Sequence, residues 1–253
     1  MDFAVSRTYI VPDLREFTDG YYSHPYEVAT IIGNPDLVNT DIYSIDLKYG
    51  HYFSGIQNIK CGLFFKYLVD PIEDALALSS SLPVYTFINT DVATLYGVEI
   101  DGRKDFSFIH KSMKDFYISG NFSYTKSEVT LTEEQETIYS TNKRELQGLS
   151  PIVVNITLGY DTKRRSITLS FNKMGERIRK VGLIDGENRF PDQYEDPAPL
   201  LDFVWIENFR NGITLRAKIE NILQQKTVWT QGDRVTREFK NPTEFSLRVS
   251  YKF

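Results

Sequence analysis

The chain has 253 residues, a net charge of -5 at neutral pH, a sequence pI ≈ 5.4 and a mean hydropathy of -0.33. That balance argues against a nucleic-acid partner, and no run approaches the ~20 apolar residues of a membrane-spanning helix, which excludes a helical membrane protein. The single cysteine, Cys61, rules out an internal disulfide and a cysteine metal cluster. Aromatics reach 14%, with 16 Tyr and 17 Phe, a share that suits transmembrane strands with aromatic girdles.

Successive side chains of a strand point to opposite faces, and on that period about ten strands are predicted. The first covers residues 3–10, and a long polar-aromatic stretch runs from it to about residue 39. The second, residues 41–49, sets Tyr43, Ile45, Leu47 and Tyr49 against Ser44, Asp46 and Lys48. After a short connection the third, residues 59–68, presents Ile59, Cys61, Leu63, Phe65 and Tyr67 on one parity. A long loop to about residue 93 leads to the fourth, residues 94–105, which alternates less cleanly around Gly97. The fifth, residues 116–125, follows a short connection containing His110, and a Thr- and Glu-rich loop follows it. Strands at 152–160 and 166–172 are joined by a tight turn; a long loop, basic at first and acidic later, leads to the strand at 200–207. A short turn joins that strand to residues 213–220. The last strand starts at Phe245 and alternates Phe245, Leu247, Val249, Tyr251 and Phe253 with Ser246, Arg248, Ser250 and Lys252.

Two regularities exceed any single strand. Long and short connections alternate along the chain, and the polar parity carries ionisable groups in mid-strand, among them Asp46, Lys48, Lys60, Lys66, Arg216 and Lys218. An outer-membrane barrel has both properties: short periplasmic turns, long external loops, an apolar outside and a polar inside. In hydrocarbon every backbone N–H and C=O must be paired, so strands cross only as a closed ring. The fold expected is therefore all-β: about ten antiparallel, up-and-down strands of a transmembrane β-barrel. A soluble two-sheet fold is the alternative.

Short motifs then carry a resemblance. Ser6-Arg7-Thr8-Tyr9-Ile10-Val11-Pro12-Asp13-Leu14-Arg15-Glu16, Gly33-Asn34-Pro35-Asp36-Leu37, the run from Asn89 to Glu99 with Gly97-Val98-Glu99-Ile100, Asn221-Ile222-Leu223, and terminal Phe253 with Tyr251 two before it occur in one order. In that order the chain resembles the C-terminal half of the barrel of a TonB-dependent outer-membrane receptor. Pro12 and Pro35 also read simply as strand-end and turn residues, Gly97 as a site of close packing, and Asn221 as a side-chain-bonded turn.

The resemblance implies a single incomplete domain, residues 1–253, open or incompletely closed, without the signal peptide, energy-coupling segment and plug of the family. It implies a place in the outer membrane among its lipids. It also implies a scarce nutrient as ligand (a ferric siderophore, cobalamin or an oligosaccharide), a TonB-type energy-coupling complex acting through the plug, and no cofactor or metal. Ligand contacts are expected in the external loops at Tyr21, Tyr22, His24, Tyr26, Arg177, Arg179, Tyr194 and Trp229, because aromatics stack on sugars or catecholates and Arg pairs with carboxylates. Tyr251 and Phe253 resemble the signal read by the barrel-assembly machinery. A passive pore or structural barrel would have the same strands. A ten-stranded outer-membrane protease or lipase is the remaining alternative, but His24 is expected at the opposite end from His51 and His110, and no Gly-x-Ser-x-Gly or His-Glu-x-x-His occurs. Glu133, Glu134 and Glu136 read as a solvated acidic loop.

Overall fold

A computed structural model describes residues 1–25, 27–54, 56–77 and 83–252. Its frame is one antiparallel sheet of ten strands in chain order: β1 Asp2–Ile10, β2 Thr40–Tyr52, β3 Asn58–Val69, β4 Val92–Asp105, β5 Phe116–Thr130, β6 Ile152–Asp161, β7 Arg165–Met174, β8 Leu200–Asn208, β9 Ile213–Glu220 and β10 Glu244–Tyr251. Each strand pairs with its sequence neighbour, so the sheet is up-and-down. It is not closed, and β1 and β10 are its two edges. The five long connections lie at one end of the strands and the four short turns at the other.

Register turns the alternation of single strands into continuous apolar rows. Phe3, Leu47, Leu63, Val98, Tyr124 and Ile152 stand side by side across β1 to β6. Ile118, Leu158, Leu169, Phe203, Ile219 and Phe245 do the same across β5 to β10. Much of this parity is exposed: Phe3, Ile45, Leu63, Phe65, Phe122 and Leu247 all face out of the protein. A soluble monomer rarely exposes so extended an apolar surface, and a lipid-facing wall requires one. Phe245, Leu247 and Val249 share the outward parity and Arg248 has the other.

The inward parity is polar. Lys60 lies 3.3 Å from Asp101, and Lys218 2.6 Å from Glu220. Three asparagines bridge successive strands, Asn155 Nδ2 donating to Asn121 at 2.6 Å and Asn172 Nδ2 to Asn155 at 2.5 Å. Gly97, where the alternation weakens, faces inward beneath the Phe64 ring. A Cβ there would lie 2.6 Å from Phe64 Cζ and 2.2 Å from the Tyr124 carbonyl oxygen, so only glycine lets the ring lie on the sheet.

Near the long-loop end the inward face becomes apolar. Leu68, Ala93, Leu95 and Val129 are buried there with Ala75, Leu131, Tyr139, Ile178, Val181 and Leu183 from the loops. The second, third and fourth long connections therefore fold back onto the inner wall and share its core. They hold order that the sequence reading left as loop. Two short helices, Leu14–Phe17 and Glu133–Ile138, each begin with a capping box, Asp13 with Glu16 and Thr132 with Gln135. Glu133, Glu134 and Glu136 are thus not plain loop: they occupy the first turn of the second helix, where the exposed N–H groups favour negative charge. Tyr21–Ser23, Thr30–Ile32, Val84–Asn89 and Ile72–Ala77 form one small sheet in that order. Arg177–Lys180, Gln193–Asp196, Lys226–Gln231 and Arg234–Lys240 form another.

The motifs of the first two loops meet at this rim. Asn34 donates its backbone N–H to the Glu16 carbonyl at 2.6 Å and its side-chain amide to the Phe87 carbonyl at 2.9 Å. A Cβ on Gly33 would lie 2.1 Å from the Thr18 carbonyl oxygen, which explains glycine in that position. Asn89 donates to the carbonyls of Val38 at 3.1 Å and Asp70 at 2.8 Å, and its own carbonyl accepts from Gln135 at 2.8 Å. Asn221 turns the chain after β9 at φ 53°, donating its side-chain amide to the Asn241 carbonyl at 2.7 Å. The closing strand ends at Tyr251, and Phe253 lies outside the described residues.

Candidate functional site

All five long connections contribute to one cluster at their end of the wall. Glu27 of the first accepts a hydrogen bond from the Tyr85 hydroxyl of the second at 2.7 Å and another from the Lys180 ammonium of the fourth. Arg179 adds an ion pair to the same carboxylate at 3.1 Å. Burial opposes ionisation of Glu27, but Lys180, Tyr85 and Arg179 outweigh it and bring the carboxyl down to about 2. Burial lowers Lys180 below the ordinary lysine value, against the pull of Glu27. Burial also raises the Tyr85 hydroxyl, and the adjacent Glu27 adds to it, so the phenol remains a hydrogen-bond donor.

Arg179 and Trp229 form the second part. The Arg179 guanidinium lies 3.6 Å from the Trp229 ring centroid and donates to Gln193 Oε1 at 2.7 Å. Arg237 lies 4.9 Å from the same ring. Beneath them, Glu195 accepts from Trp229 Nε1 at 2.9 Å and from Arg177 Nη2 at 2.6 Å. Deeper still, Arg144 of the third loop grips Glu73 of the second through Nη1 at 2.9 Å and Nη2 at 2.5 Å, and Glu73 also accepts the Gln147 N–H at 2.9 Å. Both side chains are only 2% exposed. This pair holds two loops together where water cannot reach it.

Beside these groups the five long connections line a partly open cavity of ≈ 550 Å³. His24, Tyr85, Phe87 and Phe190 supply its ring faces, Arg15, Arg179 and Lys180 its cations, and Asp74 a carboxylate raised by burial and by nearby Glu16 and Glu73. His24 lies with its ring centroid 5.0 Å from that of Tyr85, the planes tilted by 41°; burial holds its imidazole below the ordinary value, with Lys180 and Arg179 adding to the effect and Glu27 opposing it. Guanidinium and ammonium donors beside aromatic faces are a recognition chemistry, suited to an anionic ligand with flat groups. Among the described residues no group of three or more His, Cys, Asp or Glu could hold a metal ion.

Of the residues singled out from sequence, His24 and Arg179 line the cavity and Trp229 supports Arg179. Arg177 is tied to Glu195, and Tyr194 is half-buried against the loop core. Tyr21 is exposed, as is Tyr22 at the margin, and neither lines the cavity; Tyr26 lies outside the described residues. Sequence reasoning missed Glu27, Asp74, Tyr85 and Lys180. Lys180 follows Arg179 directly and Glu27 lies three residues after His24, but nothing in the chain announces that positions 153 apart will meet. The other histidines are at the short-turn end, His51 edge-on to Phe53 and His110 accepting from the Ser112 N–H of a short turn.

Residues 3–222 match the family described as TonB dependent receptor-like, beta-barrel. The chain belongs to this family. Solved structures agree on the fold of this receptor barrel. The copper transporter OprC is 12% identical, with a TM-score of 0.66 over 99% of this chain and 36% of its own. The siderophore receptor PirA from Acinetobacter baumannii is 14% identical, with a TM-score of 0.60 over 99% of this chain and 38% of its own. A variant of the ferric enterobactin receptor PfeA from Pseudomonas aeruginosa, in complex with enterobactin, is 13% identical, with a TM-score of 0.53 over 88% of this chain and 33% of its own. At such identities the likeness is one of fold. The receptor barrel here spans about a third of the length of these structures. None of the curated proteins matches it. The family is an outer-membrane family, and its solved neighbours are transport receptors rather than enzymes.

Proposed function

We propose that the chain is the C-terminal barrel portion of an outer-membrane receptor that takes up a scarce nutrient with energy delivered by a TonB-type complex. Residues 1–253 are then a single, incomplete domain, and the coupling runs through a plug contributed from outside it. The observation that carries this reading is the convergence of all five long loops on a cavity of ≈ 550 Å³ with cationic and aromatic lining, at one end of a wall that is apolar outside. A pore needs no such pocket.

The lining favours a ferric siderophore over cobalamin or an oligosaccharide, since Arg15, Arg179 and Lys180 complement an anionic chelate and His24 and Tyr85 offer stacking faces. Ligand contact is assigned to His24 and Arg179 first, with Trp229 acting from behind Arg179. Tyr21, Tyr22, Tyr26, Arg177 and Tyr194 are assigned to the rim of the same site, and Tyr251 with Phe253 to recognition by the barrel-assembly machinery. The test is uptake of a radiolabelled ferric siderophore by cells expressing the receptor. Uptake should need the energy-coupling complex, and Arg179→Ala should lower affinity by tenfold or more. Uptake that continues without the complex would make the protein a passive pore. Binding of cobalamin or an oligosaccharide in place of the chelate would reassign the cargo.

A further inference from the structure

On the outward face, near the short-turn end, the apolar rows are interrupted. Gly102 of β4 and Gly120 of β5 are register partners, flanked in the same row by Ile59 and Ile156. Two neighbouring positions without side chains leave a trough in a wall otherwise covered by Ile, Leu and Phe. Ile100 bounds it on the long-loop side and Ile118 on the other, and Phe53 and Phe108 rise from the adjoining turns. The trough measures ≈ 480 Å³. Lys104 closes its lower end: it has the outward parity of β4, and its ammonium is 4.3 Å from the Phe53 ring centroid.

We propose that this trough seats one acyl chain of a glycerophospholipid of the periplasmic leaflet, with the lipid phosphate on Lys104. The proposal rests on the outer-membrane placement given above, and three observations select the occupant. The trough is continuous with the lipid-facing rows, so hydrocarbon is already its neighbour. Its walls are isoleucine and phenylalanine, and its floor is the backbone of two glycines, a shape that takes a flexible alkyl chain rather than a folded partner. The one outward cation in its lining, Lys104, stands about two strand residues, or roughly 7 Å, beyond the floor toward the short turns, one residue before the end of β4. Its aliphatic stem covers apolar wall while the ammonium reaches the interface. The glycines also fix the site sterically. A Cβ on Gly120 would lie 2.5 Å from the Asn155 carbonyl oxygen, so the floor cannot simply be filled at that position.

The experiment is native mass spectrometry of the receptor purified from outer membranes in mild detergent, with phosphatidylglycerol and phosphatidylethanolamine added in equal amounts. Wild type should keep one phospholipid after the detergent is stripped, with phosphatidylglycerol preferred. Ile156→Trp, which fills the trough from one side, should cut the retained lipid at least fivefold. Lys104→Gln should abolish the phosphatidylglycerol preference while leaving the total less affected. Ile45→Trp, on the same face but remote from the trough, should change neither, and circular dichroism of each variant reports whether the strands are intact. Equal lipid retention in wild type and Ile156→Trp, or equal loss in Ile45→Trp, would reduce the trough to ordinary bilayer contact and overturn the proposal. A receptor that extracts with membranes yet retains no lipid overturns it too. One that never partitions into membranes overturns the outer-membrane reading first.

Discussion

Replacing Arg144 by Met should open the loop layer while sparing the wall. In the wild type Glu73 accepts two hydrogen bonds from Arg144, at 2.9 and 2.5 Å, and a third from the Gln147 N–H at 2.9 Å, with both side chains 2% exposed. The variant leaves a buried carboxylate with one neutral donor. Breaking a buried ion pair by removing one partner costs about 3–5 kcal/mol, because the remaining charge is uncompensated. The cost falls on local opening, since the pair joins the second loop to the third: Glu73 pairs with Ile88 in the small loop sheet, and Arg144 makes only an isolated bridge to Val129 of the wall. At about 1.4 kcal/mol per factor of ten, amide exchange in peptides covering residues 70–91 and 131–151 should accelerate by roughly two to four orders of magnitude. Peptides from β6 to β9 should keep their protection. Adding Glu73→Gln to the variant removes the stranded charge and should restore most of the protection. Unchanged exchange in the two loops, or equal acceleration across the wall, would show that the pair is not what joins them.

Three further outcomes are expected. Glu27 titrates at about 2 instead of the ordinary 4.5, so its stabilising contribution is complete above that ordinary value and is lost as pH falls toward 2; by order of magnitude it is about 3 kcal/mol, and Trp229 emission should report the loss in wild type but not in Glu27→Gln. A titration of equal size in both proteins would remove Glu27 from the account. Gly97→Val forces a Cβ to within 2.2 Å of the Tyr124 carbonyl oxygen and 2.6 Å of Phe64 and should destabilise the wall by about 3 kcal/mol, read as a lower temperature for loss of the compact band in unheated gel electrophoresis. Pairing it with Phe64→Ala should recover only part of the loss, because the carbonyl stays; full recovery would show that the ring was the sole obstacle. Leu63→Arg places a charge in the middle of an outward row and should cost about 2–4 kcal/mol in denaturant titrations in lipid vesicles, whereas no cost would mean that this face does not meet hydrocarbon.

The wall was legible because each of its strands repeats the two-residue period several times, and a slip of one residue would have turned Leu63 and Phe65 inward. The loop layer was not. Tyr21–Ser23 and Thr30–Ile32 have three residues each, too few to show a period. The hairpin of Lys226–Gln231 and Arg234–Lys240 could have been seen from its Gly232-Asp233 turn, but a register shift between Trp229 and Thr230 breaks the alternation that would have announced it. The cavity was legible only in pieces. Arg179 and His24 are residue types that a binding loop favours, whereas Glu27 and Tyr85 acquire their role from a partner 58 residues apart and Glu73 from one 71 away. Alternation reports which side of a wall a residue takes; it contains no record of which loop folds over which.

Asn34, Asn89 and Gln135 direct their amides at backbone carbonyls, and Gly33 is hemmed in by others. None of these four residues lines the cavity. Together they set how the first three long loops seat against one another, Asn34 joining the first to the second and Gln135 the third to the second. The joints that hold the loop layer and the groups that line its hollow are thus separate sets of residues.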